Sequence, residues 1–489
     1  MQVRPLAGPL VLLVAAGALA CSLTTVDFTR CQTNAQCRNA FGWGHVCTDG
    51  LCEPARPHPR CGNTIPEDLL QEPESYADRL LVGSVYDSET FPLELRSIEL
   101  AIRQVNDAEG LLGQDFGFVH CTNIEGTSDG LDQETANVEM ARYLADEIGV
   151  PAIVGLATSA RTEEAYVALR TIDTIDTLII SPSATSPALI SLDGLEHSND
   201  RPGLLWRTVP PDSAQGAAIA IDMEQRGITE VTVVLESGPY GEGLAEAFAS
   251  TFEGEVELLP FDDDSLRDEQ IVDAGVQGAQ EVLFISAEKS DIVAFLNAIG
   301  TNPDYDDTGL FLADGAFDIA IYPQAAQGAN RFAAIRASRP SPADAESITY
   351  KSFVSAFSAQ FGETPETSGF TPYAFDASWM VLYGTAWSLQ QTGEVTGIGI
   401  AQGMRQLSSG PSLPIRPTSW QTVVASFGSG RPVNVAGASG ALDYDPLTEE
   451  TISPIDLFRV DPDTLELITM CTLVPGQETE AGCPGWPEQ

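Results

Sequence analysis

Residues 151–189 read PAIVGLATSARTEEAYVALRTIDTIDTLIISPSATSPAL. The apolar run 151–154 is short and closed by Gly155, the pattern of a strand buried on both faces of a parallel sheet. Thr158 and Ser159 stand where a helix begins, ahead of Ala165, Val167, Ala168 and Leu169. Hydroxyls and free backbone N–H groups at such a start form an anion site. A second strand is expected over 177–181, opening into the small polar loop 182–187. Both loops leave the carboxyl ends of their strands, where open α/β sheets bind ligands.

Outward from this unit the same alternation continues. Residues 80–86 (LLVGSVY) and 115–121 read as strands. Residues 92–109 and 132–148 read as helices, the first with Leu95, Ile98, Ala101, Ile102 and Val105 at helical spacing. Strand and helix alternating in this way predict a doubly wound parallel sheet of the α/β class. Residues 204–209 followed by Pro210-Pro211 read as a crossing into a second lobe. There the βα pattern resumes with a helix at 215–226 and a strand at 230–235. Further strands are expected at 256–260, 282–285 and 309–313. The run 262–264 (DDD) lacks the Gly and Glu of a calcium loop and reads as a solvated turn. The chain is expected to return near Arg336, to form helices at 350–360 and 373–390, and to cross a third time near Val423.

Several stretches resemble one known family. Val154-Gly155 with Thr158-Ser159, then ISPSATSP at 180–187, are similar to the ligand loops of type I periplasmic binding proteins, the leucine/isoleucine/valine-binding branch in particular. The helix ending NDAEG at 106–110, YGEGLA at 240–245, YAFDA at 373–377 and ASGALDYD at 438–445 are further matches in the same order. The resemblance implies two doubly wound lobes joined by a three-crossing hinge. The divisions expected are 77–206 plus 337–422 for lobe 1 and 207–336 plus 423–470 for lobe 2. It implies that Tyr240 faces the ligand from the second lobe, that Phe91 covers it from the first, and that Asp314 receives an ammonium. Glu288 stands where the family often has an aromatic, which points to a polar ligand side chain. Thr158 and Ser159 would hold the ligand's acid end, and Ser183 and Thr185 would accept hydrogen bonds from its ammonium. For Ser159 and Ser183 local capping is the alternative reading, and for Phe91 a packing role.

Residues 1–20 carry Arg4 and then an apolar core ending in Ala18-Leu19-Ala20-Cys21, too short to span a membrane. The ending resembles a bacterial lipobox and implies a lipid on Cys21; a signal peptide cut after Ala20 is the alternative. Eight further cysteines fit an exported protein. Cys31, Cys37, Cys47 and Cys52 lie in a stretch too small for a core, so two disulfides of undetermined connectivity are expected there. A zinc site with His45 nearby is the alternative, with spacing unlike that of zinc knuckles. Neighbouring strands would bring Cys61 to Cys121, and Cys471 with Cys483 would close a tail at 471–489. Within 21–76, the Pro-rich stretch 54–73 reads as a linker that holds the body off the membrane.

The net charge of −46 repels nucleic acid and anionic membrane surfaces and excludes both as ligands. The chain is long enough for two cores. The four histidines form no pair at metal spacing, and Ser159 lies in T-S-A-R rather than a nucleophile elbow. The expectation is a monomeric, non-enzymatic, cofactor-free solute-binding lipoprotein facing the periplasm or cell surface. It would capture an amino acid or related small molecule for an ABC importer; a receptor-type sensor without a transporter is the alternative.

Overall fold

Short apolar runs bounded by glycines and polar turns build two separate sheets in the computed structural model, which describes residues 30–342, 346–451 and 453–474. The first sheet runs, in spatial order, Asn63–Ile65, Phe116–Thr122, Leu80–Tyr86, Ala152–Gly155, Leu178–Ser181 and Leu205–Arg207. Every pairing in it is parallel except that of Asn63–Ile65. The second runs Glu255–Phe261, Glu230–Glu236, Glu281–Ile285, Gly309–Leu312, Ile335–Pro340, Ile455–Val460 and Leu467–Leu473. Its first five strands are parallel and its last two antiparallel. Each sheet has a buried apolar core on both faces, as parallel sheets require. The two-lobed α/β expectation is met.

The crossings lie later in the chain than expected. Ile335–Pro340 belongs wholly to the second sheet, so the return to the first lobe begins at Ser341 rather than Arg336. Val423 is not at a crossing. Residues Pro417–Gly428 form a helix whose Trp420, Val423, Val424 and Phe427 pack in the first lobe's core with Trp379 and Tyr383. Apolar residues at that spacing need a core to face, and the first lobe supplies it. Val433, Val435 and Leu442 join the same core. The first lobe therefore keeps the chain well past 422, to the crossing at 450–454. There the three connections lie side by side: Thr451 Oγ1 donates to the Arg207 carbonyl at 2.8 Å, and the Ser341 N–H to the Pro454 carbonyl at 2.8 Å.

The stretch 54–73 is not a free linker. Asn63–Ile65 extends the first sheet, and Leu69 and Leu70 are buried beside Cys61. The Cys-rich segment docks on the same lobe: Asn34 Nδ2 donates to Asp146 Oδ2 at 2.8 Å and the Gly44 N–H to the Ile148 carbonyl at 2.9 Å. Its disulfides are Cys31–Cys47 and Cys37–Cys52. Three of these sulfurs lie within 4.8 Å of one another, but as disulfides they offer no thiolate to a metal. Cys61–Cys121 forms as expected. Cys471 is disulfide-bonded; Cys483, Cys21 and the signal segment lie outside the described residues. The run 262–264 opens a helix, Asp264–Gln277, capped by Asp263, whose carboxylate accepts from the Leu266 N–H at 2.8 Å.

Candidate functional site

A cavity between the two lobes is lined from the first by Phe91, Glu94, Ala157, Thr158, Ser159, Ser183, Ser368 and Phe370. Tyr240, Ala287, Lys289, Asp314, Gly315, Phe317 and Asp318 complete it from the second lobe.

The first lobe's wall is built by the two loops of 151–189. Gly155 has φ +137°, and a Cβ there would lie 2.7 Å from the Tyr86 ring, so only glycine lets the chain turn so close to the neighbouring strand. Thr158 then caps the helix Ser159–Arg170, its Oγ1 accepting from the Arg161 N–H at 3.3 Å. Ser159 Oγ accepts from the Ser186 N–H at 3.1 Å, and Ser183 Oγ donates to the Ala157 carbonyl at 2.7 Å. These hydroxyls stitch the two loops together, which gives the capping reading its due. The helix start remains at the cavity, with its N–H groups and the positive end of its dipole.

The second lobe's wall is acidic. Asp314 follows the strand Gly309–Leu312 and is buried. Its carboxylate accepts from the Tyr240 hydroxyl, and Gln215 Nε2 donates to its Oδ1 at 3.0 Å. Burial raises its pKa, and the hydrogen bonds from Tyr240 and Gln215 oppose the rise. Lys289 Nζ pairs with Asp318 Oδ2 at 2.5 Å and donates across the cleft to the Thr90 carbonyl at 2.7 Å. It also lies 5.2 Å from the centre of the Phe91 ring. The Ile319 N–H to Thr367 carbonyl bond, at 3.3 Å, is a second bridge between lobes. Gly243 is a third contact: a Cβ there would lie 2.8 Å from Ser186 Oγ and 3.1 Å from Pro187.

Six of the eight expected residues, Phe91, Thr158, Ser159, Ser183, Tyr240 and Asp314, line this one cavity. Thr185 does not: it is buried behind the wall, beside Asp212. Glu288 lines a neighbouring acidic groove with Arg161, Glu236 and Asp291. Burial raises its pKa, Asp291 adds to the rise, and Arg161 opposes it. Sequence reasoning missed Glu94, Lys289, Phe317, Asp318, Ser368 and Phe370. Glu94 is buried, accepts from the Ser368 hydroxyl, and has its pKa raised chiefly by that burial. The only hint of it in sequence is a carboxylate in the first turn of an otherwise apolar helix face.

Residues 84–422 match the family model described as periplasmic binding protein. Among similar solved structures is the branched-chain amino acid transporter substrate binding protein LivJ from Streptococcus pneumoniae in complex with isoleucine. It is 18% identical with a TM-score of 0.58, over 80% of this chain and 99% of that one. The leucine binding protein LivK from Thermotoga maritima is 16% identical with a TM-score of 0.60, over 81% and 99%. A solute binding protein of an ABC transporter from R. palustris, in complex with 4-hydroxybenzoate, is 14% identical with a TM-score of 0.61, over 81% and 97%. Comparison with curated protein sequences finds no match. With the model spanning well over half of its length and the two-lobed fold shared throughout, the chain belongs to the periplasmic binding proteins, of type I architecture.

Proposed function

We propose that this protein is an extracytoplasmic solute-binding lipoprotein that captures an amino acid or a closely related small acid for an ABC importer. The observation that carries the reading is the pairing of chemistries across one enclosed cavity. The start of the helix Ser159–Arg170 faces it from one lobe and the Asp314 carboxylate from the other. A zwitterion presents an anion and a cation to those two walls. Phe91, Phe317 and Phe370 provide apolar cover for the rest of the ligand. The similar structures in complex with isoleucine and with 4-hydroxybenzoate are in keeping with a small carboxylate. Closure would proceed by hinging at the three adjacent connections, and the ligand would leave unchanged.

A calorimetric screen of amino acids and aromatic acids tests this. Once a ligand is found, Asp314→Ala, Ser159→Ala and Tyr240→Ala should each weaken it. Wild-type affinity in all three would remove this site from consideration. Among the described residues no helix is long and apolar enough to cross a membrane, so anchoring would rest on a lipid at Cys21. Mass spectrometry of the mature N-terminus should find Cys21 acylated, and an unmodified thiol would refute the anchor.

A further inference from the structure

Behind Asp314, away from the cleft, lies a second polar cluster that the ligand cavity does not reach. Asp212 opens the helix Asp212–Gln225 directly after the first crossing, and Gln215 follows one turn on, on the same face. The Asp212 N–H donates to the Thr185 carbonyl at 2.8 Å, which seats this helix start on the loop of the opposite lobe. Thr185, Asp212 and Gln215 are each at most 1% exposed. The Asp212 carboxylate has Thr185, Asp314 and Arg207 for neighbours.

Four oxygens in this cluster have no partner among the described residues: both of Asp212, Thr185 Oγ1 and Gln215 Oε1. Burial and then the Asp314 charge work against the charged Asp212 carboxylate, and the Thr185 hydroxyl and the Arg207 charge favour it. Among the neighbouring donors Arg207 Nη2 makes no hydrogen bond, although it is ion-paired with Glu450; the others are committed elsewhere. Gln215 Nε2 serves Asp314 and, at 3.1 Å, Ser338 Oγ. Arg207 pairs with Glu450 at 2.6 Å and donates to the carbonyls of Ala184 and Ser186 at 3.2 and 2.7 Å.

Native proteins rarely leave buried acceptors in this condition, least of all a carboxylate beside another carboxylate. A proton on Asp212 would relieve the repulsion but leave Gln215 Oε1 unfilled. A water molecule would fill two acceptors and neutralise nothing. A cation does both, and a set made only of carboxylate, hydroxyl and amide oxygens suits a hard ion rather than zinc or copper.

We propose that Asp212, Thr185 and Gln215, with the Asp314 carboxylate alongside, form a binding site for a small hard cation of the sodium or calcium class at the seam between the lobes. Thr185 belongs to the first lobe and the other three residues to the second. The ion would therefore tie the lobes together, independently of which solute the cavity takes.

The test is thermal unfolding of the full mature chain without solute, at pH 7.5 and fixed ionic strength. Tetramethylammonium chloride serves as reference against the chlorides of sodium, potassium, calcium and magnesium. Sodium or calcium should raise the midpoint by about 2–4 °C and saturate with concentration; which of them acts identifies the ion. Asp212→Asn keeps the shape, adds donors and removes the charge, so it should fold and lose the response. Thr185→Val should need several-fold more salt for the same rise. Equal midpoints in every salt would overturn the site. So would an undiminished rise in both variants, which would put the ions on the acidic surface.

Discussion

On the first lobe's side of the cleft the three hydroxyls that the stretch 151–189 gives to the cavity have partners within that stretch: Ser159 with the Ser186 N–H, Ser183 with the Ala157 carbonyl, Thr158 with the Arg161 N–H. On the second lobe's side Asp314 has two donors and Glu236 relies on the Ser286 hydroxyl and the Ala287 N–H, each at 2.8 Å, while Asp212 behind them has no hydrogen-bond partner among the described residues. The first wall is fixed by its own chain and is ready before a solute arrives. The second holds acidic groups that burial penalises, so its energy depends on what comes near: a proton, a cation or an ammonium. The first lobe supplies mainly shape, with Glu94 the one carboxylate in its lining, and the second supplies most of the responsiveness.

This contrast can be broken in four ways. The largest effect should come from pH. Glu236 is pushed up to about 7, chiefly by burial, from an ordinary 4.5. Its folded-state pKa lies above its unfolded one, so the folded state binds the proton more tightly. The stabilisation is complete below pH 4.5 and is lost as pH rises to about 7, to the extent of up to about 3 kcal/mol. Urea unfolding at pH 4.5, 6 and 7.5 should show stability falling over that window, and Glu236→Gln should reduce the slope without abolishing it, because burial also pushes Asp376 of the first lobe up to about 7. A flat wild-type profile would remove the contrast.

Next, Asp314→Ala should cost about 1.5–3 kcal/mol of solute affinity, tenfold or more, through loss of a charge-assisted contact. Ser159→Ala should cost less, because its hydroxyl already serves Ser186. Calorimetry on the two variants compares the walls directly, and equal losses would mean that the first wall is not self-contained. Third, Gly243→Val should push the helix Pro239–Thr251 away from Ser186 and Pro187. It should weaken solute binding by about 1–2 kcal/mol through overpacking, with little change in unfolding midpoint. Scattering with solute should then show a more open envelope than wild type. Smallest, Thr158→Ala should lower stability by about 1 kcal/mol as a lost helix cap, measurable by urea unfolding.

Much of the frame was legible because buried parallel strands are short, apolar and punctuated: 80–86, 230–235 and 282–285 are found within a residue of where they read. The first wall was legible too, since Thr158 and Ser159 act through the chain next to them. What could not be read depends on contacts distant in sequence. Lys289 meets Thr90 across the cleft, and Glu94 meets Ser368 across 274 positions. Thr185 sits two residues from Ser183 yet turns to the opposite side of its loop, which spacing does not encode. The third crossing was misread because the helix 417–428 went unrecognised: Pro417 opens it, but no side chain caps its start. The true crossing at 450–454 is short, polar and unmarked.

The sequence contains two lysines, Lys289 and Lys351. The Lys351 side chain is 56% exposed, whereas Lys289 is clasped between Asp318 and the Thr90 carbonyl and is 27% exposed. An amine-reactive acylating reagent therefore has two lysine targets of very different accessibility. One lies on the surface and acts as an internal standard. The other becomes free to react when the lobes part. The ratio of the two acylated peptides, read against time by mass spectrometry, would report how often the cleft opens, with no label engineered into the chain. Any solute that holds the lobes together should slow the Lys289 signal and leave the Lys351 signal unchanged.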